Sequence, residues 1–367
     1  MRAADACPGV LRPHRAEDGA MVRLRLPGGR VPARTLRRLS DLAAAYGNGV
    51  LQLTSRAGLQ LRGLPDPLPP AFVDAVTATG LLPSPTHERV RNIVASPLTG
   101  LHGGRADVSG LTRDLDLALI AEPALAELPG RFLFVLDDGR GDVLDLRLDL
   151  GYRATGPEGG QLLVGGPDLG LPVTAGEVVP TLVGLALAFA AARTDTGAWH
   201  VRELPAWVAS LDLVPVPVPA APVTGPAGTP LGAVGGAASV AVPLAMLTGP
   251  QVAAVEHAVG DGAVVITPWR GLVLPGAAGS LPALAEAGLV TDDEGAWAQL
   301  SACVGAPACA RGRIDTTALA SALVGRGTQL PRTHLSGCER RCGAPTGHHV
   351  DLVAPTLAEA VHAVGGR

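Results

Sequence analysis

The chain contains no lysine: all 29 of its basic side chains are arginine, in a sequence of 367 residues. The base composition of a genome explains such a bias. A functional explanation is also open, because the planar guanidinium of arginine binds a carboxylate through two parallel hydrogen bonds and lysine does not.

A strong charge imbalance and a long apolar run are absent as well. The net charge of −4 gives no electrostatic reason to expect nucleic acid or an anionic membrane surface as a partner. The first 19 residues hold no apolar segment of the length a signal peptide needs. The most apolar run, 181–192, is shorter than the roughly 20 residues of a membrane span. We therefore expect a cytoplasmic protein without a membrane partner, and a buried helix at 181–192.

The sequence repeats itself without a gap, because residues 42–61 align with residues 255–274. Gly47 aligns with Gly260, and apolar positions at helical spacing also coincide. Each copy predicts a strand, a helix, a β-rich segment with a turn and a second helix. The predicted bounds are 21–26 or 238–244 for the strand, 33–46 or 250–259 for the helix, and 49–62 or 263–274 for the β-rich segment. This order is typical of a ferredoxin-like α+β half, and two such halves commonly join about a pseudo-two-fold axis.

The repeat divides the chain into five parts. The first half covers 1–80, a mixed domain 81–212, a Pro/Gly-rich linker 213–236, the second half 237–292 and a cysteine-containing tail 293–367. The composition of 213–236 is that of a linker.

Four of the five cysteines lie in the tail as two pairs, Cys303 with Cys309 and Cys338 with Cys342. Disulfides are disfavoured in a cytoplasmic chain, and structural zinc prefers shorter spacings between its ligands than the first pair has. Iron–sulfur clusters take thiolates from short loops, and the glycines beside both pairs give those loops backbone freedom. We predict one iron–sulfur cluster on these four cysteines, with zinc as a weaker alternative. Cys7 is interpreted as incidental.

The spacing of the two pairs resembles the cluster signature of the sulfite and nitrite reductase superfamily, and the four cysteines match it one by one. The resemblance covers nearly the whole chain, including the duplication. It implies a [4Fe-4S] cluster held by 293–367, a tetrapyrrole-binding domain at 81–212, and the superfamily's architecture of two ferredoxin-like halves. In that superfamily the last cysteine, here Cys342, also bridges the cluster to the iron of sirohaem.

Two segments resemble the tetrapyrrole-binding motifs of the superfamily, QLTSRAGLQLRG at 52–63 and RVRNIVASPLTG at 89–100. The resemblance implies that their basic and amide side chains bind the carboxylate arms of the macrocycle. Each charge-assisted contact would contribute roughly 1.5–3 kcal/mol. The candidate tetrapyrrole-binding residues are Arg56, Arg62, Arg89, Arg91, Asn92, Arg131 and Arg270.

The superfamily's reductases also carry a Lys-x-Lys pair that holds the small anion, and the matching positions here are Arg131 and Leu133. Loss of one cation weakens an anion site. The segments 6–31, 47–64 and 267–276 instead resemble the precorrin-3B synthase family of aerobic cobalamin biosynthesis. This resemblance implies oxygen-dependent monooxygenation of precorrin-3A, with hydroxylation at C20 and closure of a γ-lactone.

Dioxygen and a separate electron donor are implied partners, since no flavin or nicotinamide fingerprint occurs. We expect the cluster to pass electrons to a second, non-haem iron, for which the candidate ligands are His102, His200, His348 and His349. A sirohaem-dependent sulfite or nitrite reductase is the alternative reading. A non-catalytic tetrapyrrole-binding iron–sulfur protein is the second alternative.

Overall fold

The computed structural model describes residues 5–216, 228–327, 329–345 and 347–365. The first half contains β1 (His14–Ala16), β2 (Gly19–Leu24), β3 (Arg30–Pro32), α1 (Ala33–Tyr46), β4 (Val50–Leu53), β5 (Leu59–Leu64) and α2 (Pro70–Thr77). The central domain contains β6 (Ile93–Ala95), α3 (Ser109–Ala121), β7 (Phe134–Asp137), β8 (Leu150–Gly156), β9 (Gly159–Val164), β10 (Leu169–Thr174), α4 (Val178–Ala192), α5 (Pro205–Ala209) and β11 (Val214–Pro215).

The second half contains β12 (Gly232–Val234), β13 (Ala237–Ala241), β14 (Met246–Thr248), α6 (Gly249–Val259), β15 (Ala263–Ile266), β16 (Gly271–Leu274) and α7 (Leu281–Glu286). The tail contains α8 (Ala296–Gln299), β17 (Leu300–Ala302), α9 (Thr316–Val324), β18 (Thr333–Ser336), β19 (Val350–Val353) and α10 (Leu357–Gly365). The element order confirms the predicted α+β fold class.

The two halves exchange one strand each. The first sheet has the order β1-β2-β5-β4-β14, and the second has the order β12-β13-β16-β15-β3. β14 pairs antiparallel with β4, and β3 pairs antiparallel with β15. A single apolar core includes Leu36 and Leu39 of α1 together with Val252 and Val255 of α6. The halves are therefore one packed unit.

The turn that follows β4 is repeated after β15 with the same local hydrogen bond. The hydroxyl of Thr54 accepts the N–H of the glycine four residues later at 3.1 Å, and that of Thr267 does so at 3.0 Å. The residue before each glycine has a positive φ, 54° at Ala57 and 63° at Arg270. The two turns are structural equivalents although their side chains differ.

The central domain is a six-stranded sheet with the order β11-β10-β9-β8-β7-β6, in which β6, β7 and β8 are parallel. α4 covers the apolar run at 181–192 and buries Leu182, Leu185 and Phe189 in the core of this domain. Together with the preceding turn, this helix spans Ala175–Ala192, which by length and composition alone is long and apolar enough to cross a membrane. The predicted linker carries β11 and β12 near its ends, and its residues 217–227 lie outside the described residues.

The tail is a three-stranded parallel sheet, β17-β18-β19, packed against α9 and α10. The carboxylate of Asp315 accepts the N–H of Ala318 at 2.9 Å and caps the start of α9, as the sequence indicates. Because β17 and β18 run parallel, their carboxyl ends meet at one edge of the sheet.

Candidate functional site: a four-cysteine group and an arginine cluster

The four predicted cysteines come together at the carboxyl edge of the tail sheet. Cys303 directly follows β17, and Cys338 comes two residues after β18. Burial raises the pKa of Cys342, and the neighbouring thiols of Cys303, Cys338 and Cys309 raise it further. The backbone N–H of Gly337 donates to Sγ of Cys303 at 3.1 Å. Cys342 therefore lies near the other three thiols.

The cysteine loops approach each other so closely at Gly337 that any side chain there would require the neighbouring backbone to shift. A Cβ atom on Gly337 would lie 3.2 Å from the Cα of Gly312 and 3.3 Å from the Cα of Gly305. Each thiolate of a cubane cluster binds a different iron, so the sulfurs surround the cluster and do not converge on one ion. In the described part of the chain, no three Cys, His, Asp or Glu side chains converge on a single-ion site. Four thiols on two loops, with a backbone N–H donor at one of them, fit an iron–sulfur cluster as donors.

An arginine cluster, formed by Arg23, Arg25, Arg56 and Arg131, lies at the junction of the first half and the central domain. Burial, with the charge of the neighbouring Arg23 as the next largest cause, lowers the pKa of Arg25 to about 10. Burial also lowers the pKa of Arg56; Cys7 counteracts this, while Arg23 and Arg131 add to it. Nε of Arg23 and Nη2 of Arg25 are buried without an acceptor among the described residues. The guanidinium groups of Arg23, Arg25 and Arg56 are therefore largely shielded from water, and with their unmet donors they make this cluster a candidate anion-binding site.

Two members of this cluster, Arg23 and Arg25, were not among the residues that the sequence indicated. They are two positions apart in the segment MVRLRLPGG on and after β2, which places both side chains on the same face of an extended chain. This alternation was the available signal. Only the tertiary structure shows which nitrogen atoms of these two side chains have no acceptor.

Arg62 and Arg91 are both occupied by carboxylates of the chain itself. Arg62 binds Asp18 through two nitrogens, at 3.0 and 2.8 Å, and donates to the carbonyl of Ala308 at 2.9 Å. Arg91 binds Asp116 through two contacts of 2.7 Å each. Both arginines hold the protein framework in place, and their assignment as tetrapyrrole ligands stays a prediction.

Arg89, Asn92 and Arg270 also make internal contacts. Arg89 pairs with Asp5 at 3.1 Å. The amide of Asn92 donates to the backbone carbonyls of Arg89 and Gly130, at 3.0 Å each. Arg270 donates to the carbonyl of Gly343 at 2.8 Å, directly after the last cluster cysteine. Arg62 and Arg270, one from each half, therefore each anchor one cysteine loop.

Arg131 is exposed, and its guanidinium lies 4.2 Å from the ring centre of Trp199. Leu133, two residues later, is 3% exposed and packs in the core. Buried Asp149 accepts the N–H of Leu133 at 2.9 Å and faces Nδ1 of His200 at 3.3 Å. The second position of the Lys-x-Lys pattern is thus an apolar core position.

Three of the four candidate iron-binding histidines, His102, His200 and His349, have separate surroundings. His102 packs against Gly235, while His200 lies beside Asp149. His349 lies next to the buried His334, with ring centres 6.3 Å apart. Within the described ranges these side chains form no ligand set for a mononuclear iron.

A buried acidic group follows β7 at the carboxyl edge of the central sheet. Arg140 binds Asp138 at 2.6 Å, and the hydroxyl of Ser96 donates to Asp142 at 2.7 Å. Burial raises the pKa of Asp142 to about 7, with Asp137 as the next largest cause. Asp137 and Asp142 therefore titrate as a coupled pair.

Comparison with known proteins supports the sequence resemblance. The nitrite/sulfite reductase ferredoxin-like half domain family matches residues 12–77. A precorrin-3B synthase from a Sinorhizobium species is 25% identical over 95% of this chain and 80% of its own length. A ferredoxin–nitrite reductase of Synechococcus elongatus is 30% identical over 38% of this chain and 29% of its own length.

Among solved structures, the NirA protein of Mycobacterium tuberculosis superposes with a TM-score of 0.65, at 20% identity. The superposition covers 87% of this chain and 68% of NirA, and it establishes the shared fold. The duplicated α+β core, the matched half domain and the similarity along almost the entire chain agree with one another. The chain is therefore similar along almost its whole length to a precorrin-3B synthase, its residues 12–77 match the nitrite/sulfite reductase ferredoxin-like half domain, and it shares the fold of NirA.

Proposed function

We propose that this protein converts precorrin-3A to precorrin-3B in aerobic cobalamin biosynthesis, by oxygen-dependent hydroxylation at C20 with closure of a γ-lactone. The observation that carries the proposal is the arginine cluster, in which buried nitrogen atoms of Arg23 and Arg25 have no acceptor among the described residues and Arg56 forms no ion pair with a described carboxylate. Precorrin-3A carries acetate and propionate arms around its rim, so it supplies the anions that these arginines lack. The protein would act in the cytoplasm, without nucleic-acid or membrane partners.

The arginines have two tasks in this proposal: they bind the carboxylate arms and they fix the orientation of the macrocycle. Arg56 and Arg131 offer guanidinium groups with no protein carboxylate bound to them in the described structure. Each charge-assisted contact contributes roughly 1.5–3 kcal/mol. Two or three such contacts suffice to place one meso carbon reproducibly, because a planar guanidinium defines both distance and direction.

The core position of Leu133 favours the synthase over an anion reductase. Reduction of sulfite or nitrite requires cations around a small anion and a proton supply. Here one of the two expected cations is a buried leucine, and Arg131 stacks over Trp199.

The four cysteines would hold the [4Fe-4S] cluster, which supplies single-electron transfer when bound. Gly337 contributes an N–H donor to one of the thiols, and such bonds stabilise the charge of a cluster. Dioxygen and an external electron donor complete the reactants. The described histidines do not fit a second, mononuclear iron, and no step is assigned to one.

The test is anaerobic purification followed by iron, sulfide and pigment analysis, with visible spectra before and after addition of precorrin-3A and oxygen. We expect a cluster without sirohaem and oxygen-dependent formation of precorrin-3B. Bound sirohaem with sulfite or nitrite reduction would replace the proposal with a reductase. Macrocycle binding without oxygen uptake would replace it with a binding protein.

A further inference from the structure

A buried carboxylate holds one imidazole ring close to the loop that carries Arg131. Asp149 directly precedes β8, and its side chain is 1% exposed. Its two carboxylate oxygens lie 3.3 and 3.4 Å from Nδ1 of His200. The same carboxylate accepts the backbone N–H groups of Leu133 and Val201 at 2.9 Å each. These contacts fix the orientation of the carboxylate, and the carboxylate in turn orients the imidazole ring.

The contacts of His200 define which ring nitrogen carries the proton. An ionised carboxylate only accepts hydrogen bonds, so in the neutral ring the proton lies on Nδ1, facing Asp149. Nε2 then carries the free lone pair. Nε2 makes no hydrogen bond to a described residue, and the side chain of His200 is 31% exposed. The protein therefore fixes one ring nitrogen and leaves the other available for proton exchange.

The residue before His200 connects this pair to the arginine cluster. The guanidinium carbon of Arg131 lies 4.2 Å from the ring centre of Trp199. The backbone N–H of Trp199 donates to the carboxylate of Glu203 at 3.1 Å, which fixes the start of the short turn that follows. His200 is therefore held one residue from a contact of Arg131.

A second connection runs through the apolar core. The backbone N–H of Asp149 donates to the carbonyl of Leu133 at 2.9 Å, and the Asp149 carboxylate accepts the Leu133 N–H at the same distance. The side chain of Leu133 belongs to the same buried apolar group as Ala57, which follows Arg56 in its turn. The pair is thus joined to the turn of Arg56 as well as to the loop of Arg131, the two residues proposed to bind the carboxylate arms.

The proposed reaction consumes protons at this site. Insertion of one atom of dioxygen into the substrate releases the other atom as water, with two electrons from the external donor and two protons from solvent. A site that excludes bulk water takes such protons through a positioned side chain. Imidazole suits this task because it both accepts and donates a proton near neutral pH.

We propose that His200 is the acid–base residue that passes protons from solvent to dioxygen in the tetrapyrrole site, and that Asp149 is its positioning residue. This inference rests on the proposed function for the reaction that consumes the protons. In each transfer Nε2 takes a proton from solvent, which gives the charged ring, and passes it to the oxygen that leaves as water, which restores the neutral ring. Two such transfers complete one turnover. The Asp149 carboxylate stabilises the charged ring and restores the same tautomer after each transfer.

The first test compares His200→Ala with His257→Ala in the cluster-loaded protein. His257 is an exposed residue of α6 and serves as the matched control. His200→Ala should slow the oxygen-dependent conversion of precorrin-3A by roughly a hundredfold or more, while His257→Ala keeps the wild-type rate. Added imidazole should restore part of the rate of His200→Ala, because it supplies the missing acid–base group. A purely structural role of His200 would give no such rescue.

The second test does not depend on turnover and uses nitrogen NMR spectroscopy of the histidine rings. The signals of His200 are assigned by their absence from His200→Ala, and they should show the Nδ1–H tautomer. Uroporphyrin III, a stable macrocycle with acetate and propionate arms, should shift them on binding. Asp149→Asn should move the ring toward the Nε2–H tautomer, because an amide nitrogen can donate to Nδ1. The measurements on the wild-type chain and on His200→Ala do not depend on the folding of Asp149→Asn.

The outcomes separate this inference from the proposed function. Wild-type protein that forms precorrin-3B while His200→Ala does so at the same rate overturns the inference and leaves the proposed function standing. A slowed His200→Ala that imidazole does not rescue also overturns it, as does a uroporphyrin III complex with unchanged His200 signals. Absence of oxygen-dependent conversion by the wild-type protein overturns both.

Discussion

Replacement of Arg56 should separate ligand binding from folding stability. Arg56 lies in the turn between β4 and β5, with Arg23, Arg25 and Arg131 as charged neighbours. No acceptor among the described residues bonds to its guanidinium. Arg56→Gln removes a cation that is repelled by its neighbours and leaves no protein carboxylate unpaired.

The expected magnitudes differ between the two measurements. Loss of one charge-assisted carboxylate contact should weaken the binding free energy for uroporphyrin III by about 1.5–3 kcal/mol. The Kd should therefore rise roughly tenfold to a hundredfold. The free energy of unfolding should change by less than about 1 kcal/mol, as for substitutions that remove no internal partner. Binding falls and stability is preserved.

Arg91→Gln is the matched control. The side chain of Arg91 is 6% exposed, and that of its bidentate partner Asp116 is 16% exposed. Breaking this pair leaves a mostly buried carboxylate alone, which costs about 3 kcal/mol, the lower end for a buried pair because Asp116 retains some solvent contact. The control should unfold at a clearly lower urea concentration.

Urea denaturation followed by circular dichroism gives the stability of both variants, and fluorescence titration with uroporphyrin III gives the Kd. The reasoning is refuted if Arg56→Gln is destabilised as much as Arg91→Gln while its Kd stays at the wild-type value. In that case the arginine cluster would be a structural feature, and the proposed substrate clamp would have to lie elsewhere.

Three further predictions concern the cluster loops and the buried acids. Cys309→Ser should lose the iron–sulfur absorbance and most of the bound iron, whereas a serine at Cys7 should not; equal iron content in the two variants would contradict the ligand assignment. Arg62→Gln removes charged hydrogen bonds to Asp18 and the carbonyl of Ala308, and should lower the free energy of unfolding by about 1.5–3 kcal/mol; an unchanged urea midpoint would show that this anchor is dispensable. The raised pKa of Asp142, about 7 against an ordinary 3.8, means that its contribution to stability is fully present below pH 3.8 and is lost as the pH rises to about 7. In Asp142→Asn the urea midpoint should depend less steeply on pH between these values. An unchanged pH dependence would refute the assignment of the raised pKa to Asp142.

The sequence alone determined the features that depend on neighbouring residues. The helix predicted at 33–46 is α1, Ala33–Tyr46, and the one predicted at 250–259 is α6, Gly249–Val259. The repeated turn was visible because its threonine and glycine lie four residues apart in both copies, and one hydroxyl bond fixes that spacing. The cysteine pairs were readable for the same reason, since each pair lies within one loop.

Only the tertiary structure decided which basic side chains are available to a ligand. Arg56 and Arg91 each lie in one of the two segments that resemble tetrapyrrole-binding motifs, yet Asp116 binds Arg91 and no described carboxylate forms an ion pair with Arg56. Arg62 is held by a carbonyl 246 positions away, and the exchange of β3 and β14 between the halves likewise joins distant segments. Local spacing encodes helices, turns and loops, because their bonds span a few residues. The charge state of a site depends on partners that folding brings from elsewhere in the chain, and no local pattern specifies those partners.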